Sequence, residues 1–209
     1  MNPTTAFHLQ FYNEGDRGGT WKRMRWRGAP IQKFPTDLLV YQEIIHELRP
    51  RVIVETGTYH GGSALFLADM LALCGGDGHV VTVDLTQMER EPHPRITYIC
   101  GSSIDPNVIA QVREATTGLS PVLVVLDSDH RADHVTAEME AYWQMVTVGS
   151  YLIVEDTNLN GYPVWSGHGP GPREAVEQFL QHNKNFIPDR SREYLMLTAN
   201  EGGYLRRVA

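Results

Sequence analysis

Apolar runs and amphipathic segments alternate along most of the chain. Five short runs are apolar at consecutive positions rather than at every second one: 51–57, 79–85, 96–102, 121–127 and 149–156. Such runs are typical of parallel strands that are buried on both faces of a sheet. Five segments with helical spacing of apolar residues lie between or beside them: 35–50, 62–76, 104–116, 132–146 and 171–183. The alternation predicts an α/β fold with a mostly parallel sheet covered by helices.

The two ends of the chain depart from this alternation. Residues 192–208 contain two strand-like runs around a Gly-containing turn, which predicts a closing antiparallel hairpin. Such a hairpin is unusual in a plain dinucleotide-binding domain and usual in Rossmann-like class I methyltransferases. Residues 1–36 are polar, aromatic and Gly-rich, which predicts an N-terminal arm that covers the site or makes an oligomer contact. Residues 37–209 are then the Rossmann-like domain.

Composition excludes several classes of partner. The net charge of −7 disfavours binding to nucleic acid through bulk electrostatics, and no run approaches the length of a membrane span. The basic stretch 21–28 is short enough to be a solvated arm, although it could also hold an anion. Two cysteines without metal-type spacing predict a reducing, cytoplasmic location.

A glycine-rich turn follows the first apolar run, in "VETGTYHGGS". Its G-x-x-x-G-G pattern differs from the dinucleotide fingerprint, and no phosphate-binding Lys follows it, which argues against NAD and ATP. Glu55 could face the cationic part of S-adenosylmethionine, and Asp84 could accept both ribose hydroxyls. The alternative is that the glycines serve only close packing and that Asp84 is a cap. The candidate cofactor-binding residues are Glu55, Thr56, Gly57, His60, Gly61, Ser63, Asp84, Ser102, Ser103 and Asp127.

Acidic residues follow the last two apolar runs. Asp127 ends one, and Glu155 and Asp156 end the next. If the two strands are neighbours, three carboxylates share one crevice, and their mutual repulsion calls for a cation. Oxygen ligands suit Mg²⁺, Mn²⁺ or Ca²⁺. His130 is then the candidate general base. The alternative is that Asp127 or Asp129 caps the following helix.

The combination resembles the family that groups rhamnosyl O-methyltransferases with cephalosporin hydroxylase-type proteins. The resemblance covers nearly the whole chain and depends most on "VETGTYHGGSALF", "VLDSDHRADHV" and "VEDTNLNG". It implies a seven-stranded sheet, S-adenosylmethionine and Mg²⁺, with metal ligands at Asp127, Glu155 and Asp156 and a general base at His130. Catechol-type enzymes carry Asp and Asn where this chain has Glu155 and Asp156, so the set here is more acidic.

These features predict an S-adenosylmethionine- and Mg²⁺-dependent O-methyltransferase that acts on a hydroxyl of a sugar or natural-product acceptor and forms a homo-oligomer. One alternative is a protein that takes part in hydroxylation or methoxylation, although the two-His, one-carboxylate set of iron oxygenases is not evident. Another is a non-catalytic S-adenosylmethionine-binding protein. The loop 160–172 could contact the acceptor through Trp165 and His168, or could be a plain surface connection.

Overall fold

A seven-stranded sheet forms the centre of the protein in the computed structural model, which describes residues 1–12, 19–90 and 92–209. The strands are β1 Arg25–Trp26, β2 Ala29–Pro30, β3 Val52–Thr56, β4 His79–Asp84, β5 Ile96–Cys100, β6 Val122–Leu126, β7 Tyr151–Val154, β8 Phe186–Pro188 and β9 Tyr204–Arg207. The helices are α1 Pro3–Tyr12, α2 Pro35–Leu48, α3 Gly62–Leu73, α4 Pro106–Thr116, α5 Ala132–Tyr142 and α6 Pro172–His182.

The order of the strands in the sheet is β5-β4-β3-β6-β7-β9-β8, and β1 and β2 pair separately. Strands β3 to β7 run parallel to one another, whereas β9 runs antiparallel to both β7 and β8. The predicted α/β class, the mostly parallel seven-stranded sheet and its antiparallel end are therefore confirmed. None of the helices in the described ranges is long and apolar enough to cross a membrane.

The central strands are buried on both faces, as their unbroken apolar runs predict. Every residue of β3, β6 and β7 is buried. Val54 belongs to the cluster under α4, α5 and α6, while Ile53 belongs to the cluster under α2 and α3. Successive side chains thus enter opposite cores, because strand residues alternate between the faces of a sheet.

The predicted C-terminal hairpin is present with antiparallel strands, but its first strand lies earlier in the chain than predicted. Its first strand is β8, at 186–188, and not a run beginning at Arg192. The segment 190–193 forms a 3₁₀ turn instead, because Asp189 caps it by accepting from the backbone N–H of Ser191. Tyr194 and Met196 lie on the surface, 54% and 76% exposed, so these apolar residues are not part of a buried strand.

The N-terminal arm contains a helix that sequence patterning did not predict. Phe11 of α1 packs on Phe34, with ring centroids 4.5 Å apart. Leu159 and Ala199 complete this third apolar cluster beside the carboxyl end of β7. On the other side of the arm, Trp26 donates to Asp69 of α3 at 2.8 Å. The arm is thus attached to the α/β domain at two places.

The start of α2 is joined to the C-terminal part of the chain. Neither Thr36 nor Asp37 caps the helix, because Pro35 is already its first residue. Asp37 instead accepts hydrogen bonds from the backbone N–H of Ala199 and from the Tyr204 hydroxyl, both at 2.9 Å. Burial raises the pKa of this carboxyl from 3.8 to about 6, despite those hydrogen bonds.

We expect Asp37 to make the protein less stable as the pH rises from about 4 to about 6. The raised pKa means that the folded protein holds a proton which the unfolded chain releases in this window, so the free energy of unfolding falls with rising pH. The shift corresponds to about 3 kcal/mol. Denaturant unfolding in EDTA should show this loss in the parent protein and not in Asp37→Asn. Equal pH dependence in the two proteins would contradict the assignment.

Candidate functional site

A cavity of about 550 Å³ lies at the carboxyl ends of the parallel strands. This is the edge at which ligands bind in sheets of this kind. One part of the cavity wall comes from the glycine turn after β3 and from the ends of β4 and β5, and another part is aromatic. The aromatic wall consists of Phe11, Tyr12, Trp21, Phe34 and Trp165. The two walls differ in chemistry, so the cavity can hold a polar cofactor beside a second, less polar molecule.

Most of the candidate cofactor residues line this cavity, and three do not. The lining residues are Gly57, His60, Ser63, Asp84, Ser102, Ser103 and Asp127. Glu55 and Thr56 are fully buried at the end of β3, and Gly61 lies behind the turn as the residue before α3. The structure thus brings together residues from the ends of β3, β4, β5 and β6, while their roles in cofactor binding stay predictions.

Gly57 is required by packing as well as by its place in the cavity wall. Its φ of +88° belongs to the region that favours glycine. A Cβ atom at this position would lie 1.8 Å from the backbone oxygen of Asp127. The glycine therefore allows the turn after β3 to pack against the end of β6. This agrees with the alternative that the glycines serve close packing, and it is also compatible with a contact between Gly57 and a ligand.

Two acidic residues flank the glycine turn. Glu55 accepts a hydrogen bond from Thr82 at 2.6 Å through Oε2, whereas its buried Oε1 has no hydrogen-bond partner among the described residues. Burial raises the pKa of this carboxyl. Asp84 accepts from the backbone N–H groups of Tyr59 and Thr86, at 2.6 and 2.7 Å, and still faces the cavity. A carboxylate offers about four lone-pair positions, so Asp84 can accept further hydrogen bonds.

Three side chains converge where β6 and β7 end. One ligand atom each from Asp127, His130 and Asp156 lies within 4.8 Å of the others. The Nε2 atom of His130 is 3.2 Å from Oδ2 of Asp156 and 4.0 Å from Oδ1 of Asp127. Asp127 does not cap α5, since that helix begins at Ala132 after an Arg131 cap without a side-chain bond. The capping alternative for Asp127 therefore does not hold.

Glu155 lies outside this group of three. Its Oε1 accepts from the Tyr41 hydroxyl at 2.6 Å and from Nζ of Lys33 at 2.7 Å. Lys33 also forms an ion pair with Oδ2 of Asp127. The predicted metal set contained Glu155 and left His130 out. The structure brings His130 to the two aspartates and pairs Glu155 with a lysine, so Glu155 as a metal ligand stays a prediction.

The site carries an excess of negative charge. Burial alone would lower the pKa of Lys33, but the carboxylates of Asp127, Glu155 and Glu55 outweigh it and raise the pKa, so that the ammonium form persists. Burial and the neighbouring Asp127 carboxylate raise the pKa of Glu155 well above its ordinary value. One ammonium lies among three carboxylates, so their mutual repulsion is relieved either by protonation of Glu155 or by a further cation at this place.

Two residues that line the cavity were not among the predicted site residues. Tyr12 donates from its hydroxyl to Oδ1 of Asp156 at 2.8 Å, so the unpredicted helix α1 reaches the acidic group. His134, on α5, lines the cavity, and its Nε2 atom lies 3.1 Å from the Ser103 hydroxyl. The i, i+4 spacing of His134 and Glu138 was the available signal, because it puts both on one helix face.

Comparisons with known proteins agree with this arrangement. Residues 18–208 match the family described as Rhamnosyl O-methyltransferase/CmcI. A Rhamnosyl O-methyltransferase of Mycobacterium tuberculosis H37Rv is 37% identical over 179 residues, covering 83% of this chain and 73% of that protein. A Rhamnosyl O-methyltransferase of Mycobacterium leprae is 37% identical over 181 residues, covering 85% of this chain and 79% of that protein.

Solved structures show the same fold. The structure described as "CmcI-N160 apo-structure" has a TM-score of 0.71 and 26% identity, and "cmcI-D160 Mg-SAM" has a TM-score of 0.72 and 25% identity. Each match covers 92% of this chain and 79% of the chain in the solved structure. The family match spans nearly the whole domain, and it includes the strand ends that form the cavity. The chain belongs to the Rhamnosyl O-methyltransferase/CmcI family.

Proposed function

We propose that the chain is an S-adenosylmethionine- and Mg²⁺-dependent O-methyltransferase that acts on a hydroxyl of a sugar or natural-product acceptor. The observation that carries the proposal is one cavity that is lined both by the glycine turn after β3 and by the group of Asp127, His130 and Asp156. The relatives named as rhamnosyl O-methyltransferases support the reaction, and the related structure with Mg and SAM supports the cofactors.

The residues of the first wall fit S-adenosylmethionine. Its amino and sulfonium groups are cationic. Glu55, which is buried at the end of β3 and does not itself line the cavity, has a carboxylate oxygen without a hydrogen-bond partner in the described parts of the chain. Asp84 faces the cavity with acceptor capacity left for two ribose hydroxyls. Ser102 and Ser103 supply hydroxyls from the end of β5. The absence of a dinucleotide fingerprint agrees with a cofactor that has no pyrophosphate.

The acidic residues fit a hard divalent cation. Mg²⁺ prefers carboxylate oxygen to imidazole nitrogen, so we assign it to Asp127 and Asp156, with Glu155 as the third ligand. His130 remains the candidate base. When bound, the ion would supply positive charge that acidifies a hydroxyl and stabilises its oxygen as negative charge develops.

The side chains at the end of β6 and β7 then perform the proton transfer. His130 accepts the proton of the acceptor hydroxyl, and Asp156, 3.2 Å from Nε2, orients the ring and stabilises the imidazolium. S-adenosylmethionine, when bound, would supply the methyl group: its carbon–sulfur bond would break as the bond from the acceptor oxygen to the methyl carbon forms. The products are a methyl ether and S-adenosylhomocysteine. Placement of both molecules in one cavity contributes to the rate by fixing their distance and direction.

The aromatic wall provides the acceptor side. The ring centroid of Tyr12 lies 5.8 Å from those of Trp21 and Trp165. Because Tyr12 also donates to Asp156, the N-terminal arm would cover the site rather than serve only as an oligomer contact. Homo-oligomer formation remains a separate proposal, which light scattering tests. Two unpaired cysteines agree with the proposed cytoplasmic location.

We expect Trp165→Ala to raise the KM for the acceptor about 3- to 10-fold with little change in kcat. An aromatic contact of this kind contributes about 0.5–1.5 kcal/mol, and Trp165 lines the cavity beside the Tyr12 ring. Steady-state kinetics measure both constants. His168→Ala is the matched control, because His168 is on the same loop outside the cavity lining. A fall in kcat at unchanged KM would contradict this role.

Methyl transfer from labelled S-adenosylmethionine to a panel of glycosides with vicinal hydroxyls, rhamnosides included, tests the function. We expect turnover with Mg²⁺ and none after chelation. Calorimetric binding of S-adenosylmethionine without turnover across the panel would favour the non-catalytic binding protein. Formation of a hydroxylated product would favour the role in hydroxylation.

A further inference from the structure

We propose that Lys33 is a resident counter-ion which competes with the divalent metal ion for Asp127 and Glu155. Its ammonium holds these two carboxylates together while the metal is absent, and it has to share or release them when the metal binds. The inference rests on the proposed function, because it assumes a divalent cation at this place.

The ammonium group is fixed in position by the surrounding fold. Only 3% of the Lys33 side chain is exposed, and Nζ contacts Asp127 Oδ2 and Glu155 Oε1 at once. The backbone here lies between β2 and α2, where Ile31 and Phe34 on either side are each 2% exposed. A lysine on a surface loop loses its partners to water, whereas this one is held against them by packing.

The contacts divide the carboxylate oxygens between two sides. Lys33 takes Oδ2 of Asp127, while Oδ1 of the same carboxylate lies on the side of His130. Asp156 contacts His130 and Tyr12 instead. A metal ion can therefore reach Asp127 Oδ1 and Asp156 with Lys33 in place. It can use Oε1 of Glu155 only in competition with the ammonium and with the Tyr41 hydroxyl.

The charge of Lys33 has opposite effects on the two states of the site. Lys33 forms ion pairs with both Asp127 and Glu155. Among the described residues, no other Lys or Arg forms an ion pair with either carboxylate. Without metal, its removal leaves buried carboxylates uncompensated, which destabilises the fold. With metal, the ammonium places a positive charge next to a divalent cation and weakens its binding. Lys33 therefore stabilises the metal-free protein and lowers the affinity for the metal.

Calorimetric titration of Mg²⁺ into the chelator-treated full chain tests this role. Lys33→Met should bind Mg²⁺ at least about 10-fold more tightly than the parent protein. Its Tm in EDTA should be lower, and the rise in Tm on adding Mg²⁺ should be larger. Lys184→Met is the control: it removes the same charge from an exposed residue near the end of α6 and should leave both readouts unchanged.

A second variant covers the case in which Lys33→Met folds poorly. Lys33→Gln keeps amide donors for the carboxylates and lacks the charge, so it should also bind Mg²⁺ more tightly. Folding of either variant only in Mg²⁺ supports the proposal, because the metal then replaces the lysine charge. Unchanged or weaker Mg²⁺ affinity in a folded variant overturns it, and so does failure of both variants to fold at saturating Mg²⁺. If the parent protein itself binds no Mg²⁺, the proposed function fails instead.

Discussion

Asp127→Asn should reduce kcat at least about 100-fold and weaken Mg²⁺ binding. Substitution of outer-shell partners alone commonly costs 10- to 100-fold in metal affinity or activity, and Asp127 is assigned to the ion directly. The substitution keeps the shape of the side chain and removes the charge that faces both Lys33 and His130. Steady-state kinetics across a range of Mg²⁺ concentrations separate the loss of metal from the loss of turnover.

Asp133→Asn is the matched control for this prediction. It makes the same change six residues further along, at an exposed position in the first turn of α5. Its kinetic constants should equal those of the parent protein. If Asp127→Asn retained the activity and the Mg²⁺ dependence of the parent, the assignment of the metal to this strand end would be wrong.

His130→Gln should lower kcat by about 100- to 10,000-fold while Mg²⁺ affinity stays within about 3-fold. General bases contribute to rates by factors of this size, and His130 is the imidazole that lies next to both aspartates. The KM for S-adenosylmethionine should change little, because the polar contacts of His130 are with Asp127 and Asp156 and not with Asp84 or the glycine turn. Kinetics combined with Mg²⁺ calorimetry measure all three quantities.

The Mg²⁺ affinity of His130→Gln decides between the two roles that the geometry allows. A loss of affinity greater than about 10-fold would make His130 a ligand, as its place in the group of three permits. An unchanged kcat would exclude it as the base. His182→Gln is the control, because this histidine is exposed, pairs with Glu140 at 2.7 Å and does not line the cavity.

The sequence predicts the sheet and the edge where the site lies because both follow from local patterns. Apolar runs identify β3 to β7, and acidic residues mark the carboxyl ends of β4, β6 and β7. Parallel strands then bring Asp84, Asp127 and Asp156 to one edge, whatever the loops between them do. The pairing of β6 with β7 in the structure confirms that the last two acidic ends are neighbours.

The parts that sequence patterning missed depend on long-range packing. Helix α1 is held against Phe34 and Leu159 by tertiary contacts. Its sequence has little of the amphipathic pattern from which a helix could be predicted. The place of Lys33 depends on how the arm crosses the sheet edge, 94 residues before Asp127. Single-sequence periodicity carries no information on such pairings, so the division of the acidic residues between the lysine and the histidine had to come from the structure.

The most direct test of the central claim is methyl transfer to a vicinal-diol glycoside with S-adenosylmethionine, followed by mass spectrometry of the product in Mg²⁺, in EDTA and after Mg²⁺ is restored. The account predicts a singly methylated glycoside with Mg²⁺, its loss in EDTA, and its return when Mg²⁺ is added back. An equal yield of methylated product in EDTA would contradict the account.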